Sequence, residues 1–363
     1  MDFTLTESQN ILRRTARDFL AANCPFDYIS KMQQDSIGYS PELWQEMARL
    51  GWLGIGIPES YGGSGGDFLD LALLLEELGR VMFPGPFIDT VAVTAFALLE
   101  SGSDDQKQRI LPRITDGSNR AAFAFYESPR AKTLTALSRD GRSWKLTGRK
   151  HFVPYANSGE TLLCSANRGR RPVLCFVESN SPHVSQRRLE TLAGDRQFDV
   201  RFSGVSVEPS AIIGNASAAA RASDRGAIAL SAYMVGAMQH ITDLAVEYAK
   251  HRVQFGKPIG TFQAIQHRCA DMLLDLEGSR YIAYEAAWAY ANGKPHAELV
   301  AAAKAYCSES YRRIARHGHQ VFGALGFSEE HPMPLYSRRG KYFEIAFGDA
   351  TQHRERVAQK MKL

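Results

Sequence analysis

Residues 251–272 read HRVQFGKPIGTFQAIQHRCADM and interrupt a long helical pattern. Apolar residues recur at helical spacing both before and after this stretch. The segment 255–260 contains two glycines and a proline, which are unfavourable inside a helix. We therefore expect two long helices joined by a short break. Polar side chains concentrate around it: Arg252, Gln254, Lys257, Gln263, Gln266, His267 and Arg268.

The helical period continues through the C-terminal part of the chain. An alanine-rich helix is predicted at 295–324 and another at 350–361. Long helices separated by short breaks form bundles. We expect residues 216–363 to be a helical bundle.

The middle of the chain has a different pattern, with short strand-like segments separated by turns. These segments are 144–148, 161–166, 173–178 and 197–207. They predict a β-domain over residues 119–215. Residues 1–118 are predicted to be helical, with a capping box formed by Thr6 and Gln9 and a second helix that begins at Pro41.

The composition excludes several classes of protein. The net charge of +4 is a mild excess without a clustered basic face, so we expect no nucleic-acid binding. The five cysteines are far apart and form no C-x-x-C motif, which argues against a zinc site and a disulfide scaffold. The N-terminus is polar and no apolar run approaches a membrane span. We expect no metal and no membrane association, and a location in the cytoplasm.

Four stretches together resemble motifs of the acyl-CoA dehydrogenase family, in the family's order and spacing. They are Ile57-Pro58-Glu59-x-Tyr61-Gly62-Gly63 with Glu76-Glu77-Leu78-Gly79; Leu146-Thr147-Gly148-Arg149-Lys150; Tyr248-Ala249-x-x-Arg252-x-Gln254-Phe255-Gly256-Lys257-Pro258-Ile259 with Phe262-Gln263; and Gln320-Val321-Phe322-Gly323-Ala324-Leu325-Gly326-Phe327. The resemblance covers nearly the whole chain. It implies an α+β multidomain fold with an N-terminal helical domain, a middle β-barrel-like domain and a C-terminal four-helix bundle.

The resemblance also implies a cofactor, flavin adenine dinucleotide (FAD), bound across a subunit interface. By matching motifs, Arg252 would meet the pyrophosphate of a neighbouring subunit's FAD, since a fixed guanidinium suits a dianion. Gln263 and the Gln320–Ala324 stretch would line the adenosine end, where a glycine lets the backbone approach a flat ligand. The residues expected at this cofactor are Arg252, Gln254, Phe255, Phe262, Gln263, Gln320, Val321, Gly323, Ala324 and Gly348.

The general base of the family's reaction has no evident counterpart. Active members use a glutamate to remove the α-proton of the acyl thioester, and they carry it at one of three positions. By ungapped matching, these positions hold Phe347, Gly226 and Tyr233. The nearest candidate is Asp349, which is one methylene shorter than glutamate. We expect Asp349 to be the N-cap of the helix 350–361 rather than a base.

The part of the β-domain that holds the flavin ring in the family is also changed. Where the family has a Thr-Glu-Pro-x-x-Gly-Ser type of loop, this chain has Tyr126 in place of the threonine and Lys132 in place of the serine. The family's Trp-Ile-Thr strand is here Phe152-Val153-Pro154, and a proline has no N–H to donate.

These departures favour the companion subunit of a heteromeric (α2β2) FAD-dependent acyl-CoA dehydrogenase. Such a subunit would contribute to its partner's FAD site and supply no base. Two alternatives remain: a self-sufficient homotetrameric dehydrogenase, and a non-enzymatic acyl-CoA-binding scaffold. The expected partners are an acyl-CoA substrate, a second acyl-CoA dehydrogenase subunit and an acceptor of the electron-transfer flavoprotein type.

Overall fold

The computed structural model describes residues 4–128 and 134–362. Contacts divide the chain into two compact units. The first contains the described parts of 1–30, 68–83 and 227–363, and the second contains those of 31–67 and 84–226. Both units are therefore built from separate stretches of chain, and the three successive domains expected from the sequence stay a prediction.

The described residues include eleven α-helices and one π-helical segment, Ile88–Ala95. In chain order the α-helices are α1 (Glu7–Asn23), α2 (Phe26–Gln34), α3 (Pro41–Arg49), α4 (Phe68–Arg80), α5 (Phe96–Ser101), α6 (Asp104–Thr115), α7 (Ala218–His251), α8 (Gln263–Ala291), α9 (Ala297–Phe322), α10 (Met333–Ile345) and α11 (Ala350–Lys360). Helices dominate both ends of the chain and strands its middle, which confirms the predicted fold class.

Local capping explains where several helices begin. At α1, the Gln9 N–H donates to Thr6 Oγ1 at 3.2 Å and the Thr6 N–H donates to Gln9 Oε1 at 3.0 Å. This is the predicted capping box. Pro41 does begin a helix, with Ser40 as its N-cap, but this helix is the third and not the second, because α2 precedes it.

Ten strands lie between the two helical regions or at the α7–α8 break. They are β1 (Ala121–Ala124), β2 (Ala136–Asp140), β3 (Ser143–Pro154), β4 (Thr161–Arg168), β5 (Arg171–Glu178), β6 (Val184–Leu189), β7 (Gln197–Val207), β8 (Ile212–Ile213), β9 (Val253–Gln254) and β10 (Lys257–Pro258). All four strand-like segments of the sequence fall within β3, β4, β5 and β7.

The first eight strands form one sheet in the second unit, in the order β6-β7-β3-β2-β4-β5-β8, with β1 parallel to β4. Alternate residues of the long strands face a common core. Leu146, Leu162, Val200 and Phe202 are among its fully buried members. A β-bulge interrupts the β3–β7 register between Lys150 and Val153.

In the first unit, α4 and α7 cross with their backbones in direct contact. A Cβ atom added to Gly236 would lie 1.7 Å from the carbonyl oxygen of Glu76, and one added to Gly79 would lie 1.9 Å from that of Tyr233. No side chain fits at either position. The two glycines thus set the closest approach of the two helices.

Two buried carboxylates, Glu76 and Glu77, lie at this crossing. Glu77 accepts two hydrogen bonds from Arg17 of α1, at 2.7 and 3.0 Å. Glu76 accepts from Arg280 of α8 at 3.3 Å and from the Tyr284 hydroxyl. Because a buried charge must be paired, α1 and α8 have to lie where they supply these donors.

Replacing either crossing glycine tests this description. We expect Gly236→Ala to lower the free energy of unfolding by about 3 kcal/mol, because overpacking a rigid contact forces the backbone to shift. Gly278→Ala in α8 is the matched control, since the nearest atom there is the Tyr306 hydroxyl at the end of a movable side chain. Alanine's helix propensity should keep that variant within about 1 kcal/mol of the native chain. Chemical denaturation measures both, and equal stability of the two variants would contradict the crossing.

Candidate functional site

The break between α7 and α8 is a short β-hairpin with a two-residue turn. Strands β9 and β10 pair antiparallel, with Gln254 opposite Lys257. Phe255 and Gly256 form the turn with φ angles of 52° and 80°, the pattern of two positive φ angles found in type I′ hairpins. The Ile259 N–H donates to the Arg252 carbonyl at 2.8 Å and closes the base of the hairpin.

The tip of the hairpin carries an exposed aromatic ring under backbone strain. Phe255 is 91% exposed, and a bulky residue with positive φ is energetically unfavourable. The Phe255 ring meets the Phe262 ring edge to face, with 6.1 Å between centroids. Lys257 Nζ lies 4.6 Å from the centroid of Phe262. The tip is therefore an aromatic surface with a cation beside it.

Three of the polar side chains around the hairpin face solvent. Arg252, Gln254 and Gln263 are all exposed. Within residues 4–128 and 134–362, none of these three side chains forms a hydrogen bond or an ion pair. An unpaired guanidinium and two free amides at one end of a helical bundle are suited to an anionic, hydrogen-bonding ligand.

The C-terminal end of α9 lies at the same end of the bundle. Tyr248, one turn before Arg252 on α7, packs its ring against Phe322 with 5.2 Å between centroids. Gln320 is exposed and Val321 is buried. The helix ends at Gly323, whose φ of 60° and ψ of −136° suit a glycine, and Ala324 follows as an exposed residue. The contact between Tyr248 and Phe322 thus brings the Arg252 and Gln320 segments close together, and their role at a cofactor stays a prediction.

Gly348 lies elsewhere. Its carbonyl accepts a hydrogen bond from Lys304 Nζ at 2.9 Å, and Lys304 lies 16 residues before Gln320 on α9. That separation is about 24 Å of helix. Gly348 therefore does not join the hairpin residues, although it was predicted with them as a cofactor-binding residue.

Lys304 fixes the turn that contains Gly348. Its ammonium is fully buried and also donates to the carbonyls of Phe343 and Glu344 at 2.9 and 3.2 Å. Burial lowers the pKa of Lys304 to about 8, so the charged form is still the main one at pH 7. One cation thus satisfies three main-chain carbonyls at the end of α10. Sequence patterns gave no sign of this, because these partners are about forty residues away.

Asp349 caps α11. Its Oδ1 accepts from the Gln352 N–H at 2.8 Å, and the Gln352 side chain accepts from the Asp349 N–H at 3.2 Å. The predicted N-cap is therefore present as a complete capping box. A carboxylate held in this way already has a structural task, and its role as a base stays untested.

The three positions at which the family carries its glutamate are filled with residues that cannot act as a carboxylate. Phe347 is buried, and its carbonyl accepts from His353 Nε2 at 2.9 Å. Tyr233 is buried, and its hydroxyl donates to the Phe83 carbonyl at 3.0 Å. Gly226 is a buried residue inside α7. None of the three offers a group that would accept a proton from a substrate.

The loop after β1 in the second unit is held by internal contacts. Lys150 is buried and donates to Glu127 Oε1 at 2.6 Å, Ser165 Oγ at 2.9 Å and the Phe125 carbonyl at 3.2 Å. Burial disfavours the charged form of Glu127, but the hydrogen bond from Lys150 outweighs it and holds the pKa of that carboxyl below its usual range. Residues 129–133, including Lys132, lie outside the described part of the chain.

The strand that follows is bent at the β-bulge. Phe152 has a positive φ of 53° and is 56% exposed, whereas Val153 is buried in the core. Pro154 pairs with Gln197 at the end of β3 but has no N–H to offer. The aromatic position of the family's strand is kept, and its last hydrogen-bonding residue is lost.

Comparison with known proteins identifies the family. The N-terminal domain of acyl-CoA dehydrogenases matches residues 6–118 and the C-terminal domain matches residues 216–362. A short-chain-specific acyl-CoA dehydrogenase of Megasphaera elsdenii is 30% identical over 372 residues, covering 96% of both chains. The chain belongs to the acyl-CoA dehydrogenase family.

Two solved structures are similar over nearly their whole length. The ChsE4-ChsE5 complex of Mycobacterium tuberculosis contains a chain with a TM-score of 0.95 and 26% identity, covering 100% of this chain and 99% of that one. The Tcur3481-Tcur3483 steroid ACAD contains a chain with a TM-score of 0.91 and 29% identity, covering 99% of both. Both names join two different proteins.

FAD is the cofactor of this family, and the two parts of the chain suit it differently. The hairpin set fits a pyrophosphate and an adenosine edge, because its guanidinium and amides are exposed and unpaired within the described residues. The described part of the β-domain does not fit a flavin ring in the family's manner. Tyr126 carries its hydroxyl at the end of a large ring in place of the compact threonine, and Pro154 has neither a hydroxyl nor an N–H to donate.

The described residues also bear on the expectations about membrane association and metal binding. Among the described residues, no helix is long and apolar enough to cross a membrane. No group of three histidine, cysteine, aspartate or glutamate side chains in that part of the chain is placed to hold a metal ion.

Lys304→Met should destabilise the turn that carries Phe347 and Gly348. Removing the ammonium leaves buried carbonyls without a donor, and we expect a loss of about 2–3 kcal/mol in the free energy of unfolding. Lys341→Met is the matched control on α10, since that lysine is exposed and its partner Glu344 stays paired with Arg312 when the lysine is removed. Faster amide exchange confined to 343–349 in the Lys304 variant would confirm the local effect, and an unchanged stability would contradict it.

Asp349→Asn separates capping from catalysis. Asparagine caps a helix nearly as well as aspartate, so we expect turnover of the assembled enzyme to stay within about threefold of native. Loss of a general base would lower turnover roughly 10²–10⁴-fold. Electron-acceptor reduction, with flavin content checked first, measures the difference. Asp349→Ala provides the structural comparison, with an expected loss of about 1 kcal/mol in stability.

Proposed function

We propose that this chain is the base-lacking subunit of a heteromeric, FAD-dependent acyl-CoA dehydrogenase. The complex would introduce a double bond between the α and β carbons of an acyl-CoA thioester and pass electrons to an acceptor of the electron-transfer flavoprotein type. One observation carries the proposal. The Arg252, Gln254 and Gln263 side chains, which would serve a neighbour's FAD, are exposed and have no partner within the described residues. The three positions matched to the family's glutamate hold Phe347, Gly226 and Tyr233 instead of a carboxylate.

Each part of the hairpin would have a distinct task toward the partner's cofactor. Arg252 would neutralise the pyrophosphate, and a planar guanidinium offers two parallel donors to it. Gln254, Gln263 and Gln320 would hydrogen-bond the adenosine end. Phe255 and Phe262 would exclude water beside the cofactor, and Val321, Gly323 and Ala324 would give a smooth backbone surface. When bound, FAD accepts the β-hydride of the substrate.

The chain itself would move no proton from the substrate. Phe347 places an apolar ring at the family's main base position, and Tyr233 donates its only proton to a main-chain carbonyl. The glutamate would come from the partner subunit. The two similar complexes, ChsE4-ChsE5 and Tcur3481-Tcur3483, support an assembly of two unlike chains. We also place the complex in the cytoplasm, where free cysteines are the rule.

The visible spectrum tests the proposal against its alternatives. The chain is purified alone and after co-expression with a candidate partner of the same family that carries the glutamate. Flavin absorbance only in the co-purified sample supports the heteromeric enzyme. Flavin in the lone chain would support a self-sufficient homotetramer, and no flavin in either sample would support an acyl-CoA-binding scaffold.

Arg252→Ala should weaken FAD retention in the complex by about 2–3 kcal/mol, the scale for losing a charge-assisted contact. The fold should survive, because Arg252 is exposed and has no partner among the described residues. Arg170→Ala, at the exposed β4–β5 turn, is the matched control and should leave retention unchanged. Equal flavin content in the two variant complexes after dialysis would exclude the assignment of Arg252.

A further inference from the structure

A cavity of about 290 Å³ lies within the first unit, between α1, α4, α7 and α10. Its walls are mostly apolar and include Leu20, Cys24, Ile29, Val81 and Leu335. Burial raises the pKa of the Cys24 thiol to about 12, so this wall is uncharged. The volume is near the lower end of the range for ligand pockets, about 300–1,000 Å³. The cavity therefore suits a small ligand with an apolar part.

Three charged side chains also line the cavity: Arg17, Arg80 and Glu77. Both carboxylate oxygens of Glu77 accept hydrogen bonds from Arg17. Arg80 donates a hydrogen bond from Nη2 to Asp243 Oδ2 at 2.6 Å. The carboxylate is thus fully occupied, while each guanidinium keeps N–H groups that are not engaged within the described residues.

The imidazole of His240 supplies a further polar group. Its ring stacks on Tyr336 with 5.1 Å between centroids and 26° between planes. Burial lowers the pKa of His240 to about 4, so the ring is neutral at pH 7 and has one N–H donor. Neither ring nitrogen has a hydrogen-bond partner in the described part of the chain. The Tyr336 hydroxyl is not available, because it donates to the Arg80 carbonyl at 2.6 Å.

The cavity borders a groove that opens to the surface. Arg80 and His240 also line an open groove along α7 and α8, together with Leu244 and Leu273. A ligand entering through this groove would bring its tail into the apolar cavity and leave its head beside Arg80 and His240.

We propose that this cavity binds a small carboxylate with a linear apolar tail. Unengaged N–H groups of Arg17, Arg80 and His240 line the cavity. Among its described lining residues the only carboxylate is Glu77, which is paired with Arg17. The groove also carries Asp243 and Glu247, which are paired with Arg80 and with Lys250 and His251. The complementary head group is therefore an anionic acceptor. The tail would replace water against the apolar walls. This site is separate from the hairpin and does not rest on the proposed function.

Octanoate binding to the full-length chain tests the site. Isothermal titration calorimetry should detect one saturable site for octanoate, and octan-1-ol should bind at least tenfold more weakly because it lacks the carboxylate. In crystals soaked with 8-bromo-octanoate, the bromine anomalous signal should lie among Leu20, Cys24 and Leu335. Equal affinity for the alcohol, a bromine signal elsewhere only, or no saturable binding would overturn the proposal.

His240→Phe keeps the ring stack on Tyr336 and removes the imidazole donor. We expect it to weaken octanoate binding at least tenfold while leaving octan-1-ol binding unchanged. His183→Phe, at an exposed position of the second unit, is the matched control and should bind octanoate as the native chain does. Equal loss for both ligands in the His240 variant would indicate a damaged cavity rather than a lost donor, and the bromine position in the native chain then decides.

Discussion

The crossing of α4 and α7 is the contact on which the first unit depends. Gly79 and Gly236 let two backbones touch, and the helices cannot separate to accept a larger residue without losing the packing around them. The crossing also buries Glu76 and Glu77 beside it. Since a buried carboxylate is tolerated only with donors in place, Arg17 and Arg280 tie α1 and α8 to the same point. Fixing α7 and α8 in this way also fixes the hairpin between them.

Polar groups near Lys304 are paired inside the bundle, whereas those near Arg252 are exposed to solvent. Near Lys304, the main-chain carbonyls of Phe343, Glu344 and Gly348 all accept hydrogen bonds from one buried ammonium. Near Arg252, the donors face solvent and have no partner within the described residues. Exposed donors are hydrated and add little to the stability of the isolated chain. In the proposed complex they would bind a cofactor held by the partner subunit.

Features decided by neighbouring residues were predictable from the sequence. The Thr6–Gln9 box, the start of α3 at Pro41, the hairpin break at 255–260 and the cap at Asp349 all follow from local backbone chemistry. Features decided by distant contacts were not. The π-helical segment 88–95 and helix α2 have no distinctive local signal. The position of Lys304 and the separation of Gly348 from the hairpin depend on how α9, α10 and α11 pack.

The family motifs located the Arg252 and Gln320 segments, and the structure added the contact between Tyr248 and Phe322 that joins them. Motif matching also named the residues at the family's glutamate positions, but not how they are packed. Phe347 and Tyr233 form hydrogen bonds with His353 and Phe83, which lie outside every motif. The sequence therefore shows that a carboxylate is absent from the matched positions, and the structure shows which contacts the replacing residues make.

At Phe255, the stability of the isolated chain and the proposed assembly have opposite requirements. An asparagine or glycine in this left-handed turn would relax the backbone and remove an exposed ring. Any directed-evolution scheme that selects only for a more soluble or heat-resistant isolated chain would favour that exchange. It would at the same time remove the ring that the proposed complex would place beside the partner's cofactor. In that complex, thermal optimisation of the isolated chain would therefore weaken assembly.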